Sequence, residues 1–162
     1  MFRADLGPST FLGALTWDEN TSTLLAVQTL VAGVDTLNSV DTSTGAQTLL
    51  HSFANSDWDI NGAAFDARSD TLWLTADLTS AGPSVLLSLD LAGGPPFSPA
   101  TVVGTITGET QIEGLVWDPG RGALIAVASA GGDRLLEIDP STAAPTLIGA
   151  TSVRFQSLLI EP

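Results

Sequence analysis

The stretch Ile112-Glu113-Gly114-Leu115-Val116-Trp117-Asp118 constrains the fold more than any other feature, because the chain repeats it. Its counterparts are Leu12-Gly13-Ala14-Leu15-Thr16-Trp17-Asp18, Ile60-Asn61-Gly62-Ala63-Ala64-Phe65-Asp66 and Phe155-Gln156-Ser157-Leu158-Leu159-Ile160-Glu161. The shared columns read apolar, variable, small, apolar, variable, bulky apolar, acid. The bulky positions Trp17, Phe65, Trp117 and Ile160 lie 48, 52 and 43 residues apart. Between them, apolar residues come in short runs or alternate, bounded by Gly, Asn, Asp, Ser and Thr, which is the pattern of strands and not of a helical period. No segment predicts a helix.

A repeat of about 40 to 50 residues built from four strands is the period of a β-propeller blade. The chain therefore predicts an all-β fold, a β-propeller of four-stranded antiparallel blades, with blades at about 11–54, 59–107 and 111–151 in a single domain over 1–162. The core strands are the innermost of each blade. Second strands are expected at Thr23–Gln28, Thr71–Ala76 and Ala123–Ser129, third strands at Thr36–Asp41, Val85–Asp90 and Arg134–Asp139, and fourth strands at Gln47–Phe53, Thr101–Ile106 and Thr146–Gly149. Phe2 to Gly7 is similar to the tails of the later repeats and predicts an N-terminal outer strand, and Phe155–Glu161 predicts a C-terminal inner strand. Leu91 to Pro99, with three prolines that remove donors, is expected to project as a surface loop.

One outer strand, three full blades and one inner strand do not close a ring of about 4 to 8 blades. The chain is a piece of a longer propeller, a small irregular ring, or a unit that joins other copies. Open blade edges template strand pairing with another chain, so a homo-oligomer or polymer is the expected partner.

The charge excludes several functions. Five basic residues, all Arg, against 18 acidic ones give a net charge of -13. Such a surface repels phosphate backbones and anionic headgroups, which argues against nucleic acid, and no run approaches the length of a membrane span. Cations or basic partners suit it. The absence of Cys removes disulfides, thiolate metal sites and a Cys nucleophile. A Lys-free acidic chain rich in Ser, Thr, Gly and Ala points to an exported protein, extracellular or periplasmic.

Glu113-Gly114-Leu115-Val116-Trp117-Asp118 followed by Leu124-Ile125-Ala126-Val127, and Asn61-Gly62-Ala63-Ala64-Phe65-Asp66 followed by Thr71-Leu72-Trp73-Leu74-Thr75-Ala76-Asp77, resemble the inner and second strands of NHL-type propellers and of the senescence-marker/gluconolactonase family. In that family a Glu preceding Gly on one inner strand and an Asn preceding Gly on another help hold a divalent cation in the central channel. The resemblance implies that role for Glu113 and Asn61, with Ca²⁺ or Mg²⁺ as the cofactor if there is one. Such a cation polarises a carbonyl and activates water. The family's further aspartate ligand and its base have no matching position. The bland alternative is the polar channel mouth found in most propellers.

Other residues are better explained structurally. Asp18, Asp66, Asp118 and Glu161 recur at a strand end, where they accept backbone N–H groups of the following turn more naturally than they form an acid–base cluster. Trp17, Phe65, Trp117 and Ile160 are expected to pack between blades. Asp57, Trp58 and Asp59 form a candidate contact tip for a cation or a sugar ring in the loop leading into the second blade, with a packed loop Trp as the alternative. His51, the one histidine, falls on an outer strand and gives Zn chemistry no second ligand. No G-x-S-x-G elbow is present, so no catalytic residue is assigned, and Ala130-Gly131-Gly132-Asp133 reads as a hairpin loop.

The leading functional expectation is a non-enzymatic, exported, self-associating propeller module with a structural or adhesive role. The alternatives are a metal-dependent lactonase-like hydrolase with a cation in the channel, and a glycan- or peptide-binding propeller.

Overall fold

A computed structural model describes residues 10–30, 34–54, 57–78, 82–129 and 133–150. The expected end strands at 2–7 and 155–161, and the Gly-rich hairpin at 130–132, lie outside the described residues. Strands β1 (Thr10–Asp18), β2 (Thr23–Leu30), β3 (Thr36–Val40) and β4 (Gln47–Ser52) form one antiparallel sheet in chain order. Strands β5 (Trp58–Asp66), β6 (Thr71–Leu78), β7 (Val85–Asp90) and β8 (Thr101–Thr105) form a second. Strands β9 (Ile112–Asp118), β10 (Ala123–Ala128), β11 (Arg134–Ile138) and β12 (Pro145–Ala150) form a third. The three sheets are the predicted blades, and no described residue is helical.

Innermost β1 lies beside β5, and β5 beside β9, so the three repeated stretches converge on one axis. Alternation along each strand sends side chains to the two neighbouring sheets. Leu25, Val27 and Leu37 of the first sheet meet Phe65, Leu74 and Leu87 of the second in one apolar cluster. From the opposite face of the second sheet, Ala64 and Leu86 meet Leu115, Leu124 and Leu136 of the third. Complete burial of a Leu such as Leu72 or Leu124 contributes about 2 kcal/mol.

The repeated acids tie the hairpins as expected. Asp18 accepts from the backbone N of Asn20 at 2.9 Å and of Thr21 at 3.1 Å, Asp66 from Arg68 N at 3.0 Å, and Asp118 from Gly120 N at 2.9 Å. Asp41 repeats the device with Ser43 N at 2.8 Å, and Gly45 closes that turn at φ +74. Glu161 lies outside the described residues.

Two expectations change. The Leu91–Pro99 connection stays out of the sheet but does not simply project. Leu91 is buried and Phe97 folds back onto the cluster between the first two sheets, because each removes apolar surface from water there. Trp17 does not pack between blades in this chain. Phe65 and Trp117 do so against the sheet before their own, whereas Trp17 stands on the first sheet and is exposed.

Candidate functional site at the channel mouth

Each inner strand carries a β-bulge at the same repeat position. Pairing runs Leu12↔Gln28 then Ala14↔Val27, Ile60↔Ala76 then Gly62↔Thr75, and Ile112↔Ala128 then Gly114↔Val127. Gly13, Asn61 and Glu113 are therefore the extra, unopposed residues. A bulge re-aims its side chain, here out of the inter-sheet packing. Together with Asp59, Asp77 and Gln111, these three line one polar hollow of about 360 Å³ at the end of the channel.

The second strands complete the mouth. Asn61 Nδ2 donates to Asp77 Oδ2 at 3.3 Å and to Asp59 O at 3.1 Å, and these two bonds leave its carbonyl oxygen for another partner. Ser129 Oγ donates to Glu113 Oε1 at 2.8 Å. Asp77 Oδ1 accepts from Gln111 N at 3.0 Å and from Ser84 Oγ, tying the second blade to the start of β9. Thr29, at the same position of β2, stands beside Gly13, where a Cβ would lie 2.1 Å from Ile60 O and 2.8 Å from Thr29 Oγ1. The mouth thus presents a neutral pair, an amide–carboxylate pair and a carboxylate–hydroxyl pair. Sequence reasoning found Asn61 and Glu113 and missed Asp77 and Ser129, although both fall in one column of the second strands.

The oxygen donors fit a hard cation in type. Among the described residues, however, no three His, Cys, Asp or Glu side chains gather to hold a metal ion. Glu113 and Asn61 supply one carboxylate and one amide oxygen, so further ligands have to come from elsewhere.

The Asp57-Trp58-Asp59 tip is divided. Trp58 is the first residue of β5, paired with Leu78, and lines a cleft with His51, Phe53 and Pro99. Asp57 is exposed, and Asp59 belongs to the channel mouth. His51 stands edge-on to Phe53, ring centroids 5.1 Å apart, and its burial lowers its pKa from 6.5. At the opposite end of the channel, Trp17, Phe65 and Trp117 line an aromatic hollow of about 540 Å³ with Arg68 and Glu19 at its rim. Trp117 stacks on Trp73, ring centroids 6.4 Å apart and planes 17° from parallel.

No protein-family model and no curated protein sequence matches the chain. Solved structures do. A gluconolactonase from Xanthomonas campestris shares 9% identity with a TM-score of 0.65, over 97% of this chain and 53% of its own. A glucose dehydrogenase shares 20% identity at a TM-score of 0.57, over 79% of this chain and 40% of its own. TolB from Acinetobacter baumannii shares 16% identity at a TM-score of 0.56, over 86% of this chain and 32% of its own. The chain spans between about a third and a half of the length of these proteins. At such identities the likeness is one of fold: three blades of β-propeller type arranged around a common channel.

Proposed function

We propose that the channel mouth binds a divalent cation, Ca²⁺ or Mg²⁺, together with a small hydroxylated ligand, as in a lactonase-like hydrolase. The observation that carries this reading is the placement of Asn61 and Glu113 on matching bulges, facing one polar hollow with Asp59 and Asp77. Likeness in fold to a gluconolactonase and a glucose dehydrogenase supports it. Glu113 supplies charge and Asn61 a carbonyl oxygen, while Asp59 and Asp77 offer acceptors to ligand hydroxyls. A bound cation polarises a carbonyl oxygen and lowers the pKa of water. Calorimetric titration with Ca²⁺ and Mg²⁺, and hydrolysis of an aldonolactone panel, test the reading. Binding weakened at least about tenfold in Glu113→Gln is expected; the absence of any cation-binding heat overturns it.

The second reading, an exported non-enzymatic structural module that self-associates, is favoured by Leu12, Leu15 and Trp17, exposed together on one face of β1. Export rests on the acidic, Lys-free composition. Among the described residues no helix is long and apolar enough to cross a membrane. Fractionation of the native host places the protein, and recovery in the cytoplasm alone removes the export proposal.

A further inference from the structure

We infer that two copies of this chain close head to tail into one six-bladed ring, the first sheet of each packing on the third sheet of the other. The inference deepens the channel-mouth reading, since the ring completes that site, but it stands on a separate observation.

That observation is a comparison of equivalent positions. Leu15 is 49% exposed, while its counterparts Ala63 and Leu115 are 5% and 7% exposed. Trp17 is 46% exposed and its counterpart Phe65 is 8%. Leu24 is half-buried where Leu72 and Leu124 are fully buried. In the second and third sheets these positions pack against the sheet before, so among the described residues the first sheet presents a blade-facing surface with no blade on it. The third sheet shows the converse loss on its far side. Leu135 is half-buried where Leu37 and Leu86 are fully buried. Ile148, the unopposed residue of a bulge in β12, is 45% exposed, while its counterparts Leu50 and Val103 pack into the inter-sheet clusters. Each of the two surfaces is of the kind that covers the other.

The occupant has to be a whole blade. At the equivalent positions of the other sheets the cover is a four-stranded sheet. A second copy supplies one at each surface. The proportions agree: 97% of this chain matches 53% of a gluconolactonase, so two copies amount to one such propeller. A head-to-tail contact of this kind is heterologous, and it gives a ring when the rotation it repeats closes. Contact through sheet faces also accounts for the buried-type residues at Leu15 and Trp17, which pairing of strand edges does not.

Closure changes the site. One copy offers a single Asn61 and a single Glu113 at the mouth; the ring surrounds one channel with two of each. The carboxylate and amide oxygens available to a cation are doubled without any further residue type.

Light scattering over a range of concentrations, without added metal, tests the ring. A single species of twice the chain mass is expected. Trp17→Glu and Ile148→Arg, on opposite surfaces, are each expected to raise the dissociation constant at least tenfold. Far-ultraviolet circular dichroism of both variants is expected to stay that of the parent, because both side chains are already exposed in one copy. A dimer lost in Trp17→Glu but retained in Ile148→Arg overturns the head-to-tail ring in favour of a symmetric contact between first sheets. A monomer at all concentrations overturns it, as does growth into open oligomers. Glu113→Gln separates the two readings: loss of cation binding with the dimer intact supports both, whereas a dimer that binds no cation leaves the ring standing and removes the site.

Discussion

Ser129 Oγ donates a hydrogen bond to Glu113 Oε1 at 2.8 Å, from the end of the second strand of the third blade to the bulge of its inner strand. A carboxylate at the edge of a wide channel samples several rotamers, and the hydroxyl fixes one of them. Outer partners of this kind orient a ligand and tune its affinity. Ser129→Ala is therefore expected to weaken Ca²⁺ binding about tenfold, with stability changed by about 1 kcal/mol at most. Titration calorimetry alongside urea denaturation checks both parts. Equal affinities in parent and variant would remove Ser129 from the site.

Gly13 sits where the first inner strand approaches the second so closely that a Cβ would meet Ile60 O at 2.1 Å. The obstacle is backbone, which cannot rotate away, so the sheets have to separate. Gly13→Ala is expected to cost about 1–3 kcal/mol by overpacking. Gly149→Ala, on β12 with nothing within 4 Å of an added Cβ, should lie within about 0.5 kcal/mol of the parent. Urea midpoints of the two variants make the comparison, and equal midpoints would show that the first two blades are less tightly joined than described.

Asp35 ties the first blade to the second. Its Oδ2 accepts from the fully buried Ile60 N at 2.9 Å, and its carbonyl accepts from Phe53 N at 2.9 Å. Asp35→Ala leaves the Ile60 N–H without its acceptor in an apolar cluster, at a cost of about 1–3 kcal/mol. Asp41→Ala, which opens a solvent-facing turn, should cost less. Amide hydrogen exchange at Ile60 reads the local effect, and unchanged protection in Asp35→Ala would mean that the Ile60 N–H is not held by that carboxylate.

The blades were legible because repeated columns report on each other. A run such as Ala123–Ala128 is ambiguous alone, but its position after Trp117-Asp118, matched by Thr23 after Trp17-Asp18, fixes it as a second strand. Turn acids were equally legible, since Asp followed by Ser, Gly or Pro states its local chemistry. The bulges were not. Asn61 and Glu113 could be aligned in a column, but a period-two reading assigns them to a sheet face, and only the register Ile112↔Ala128 and Gly114↔Val127 frees Glu113 to turn to the channel. Asp77 and Ser129 were hidden because the end of an open strand looks like the start of any polar loop. Trp58 was misplaced for the converse reason: its acidic neighbours suggest a loop, while its own ring finds the cleft beside Phe53 and extends the strand.

His51 gives the fold an acid-sensitive limb distinct from that of the carboxylates. It lies against Phe53 and Phe97, and burial lowers its pKa below 6.5, so the folded chain binds that proton less readily than the unfolded one. Between the two values the unfolded state holds more protons, and stability rises with pH. The full stability is present above 6.5 and is lost as pH falls through the folded value. Asp41 acts in the same direction in a lower window: the Ser43 hydroxyl and backbone N–H lower its pKa from 3.8 to about 2, so its contribution is present above 3.8 and lost toward about 2. Asp139, held by Ser141, follows Asp41. His51→Phe keeps an aromatic ring on Phe53 and removes the titration, so its urea midpoint should change less than that of the parent between neutral pH and about pH 5, while the drop at lower pH persists. The same loss of stability down to about pH 5 in parent and variant would place the acid sensitivity elsewhere, because this chain has no second histidine to supply it.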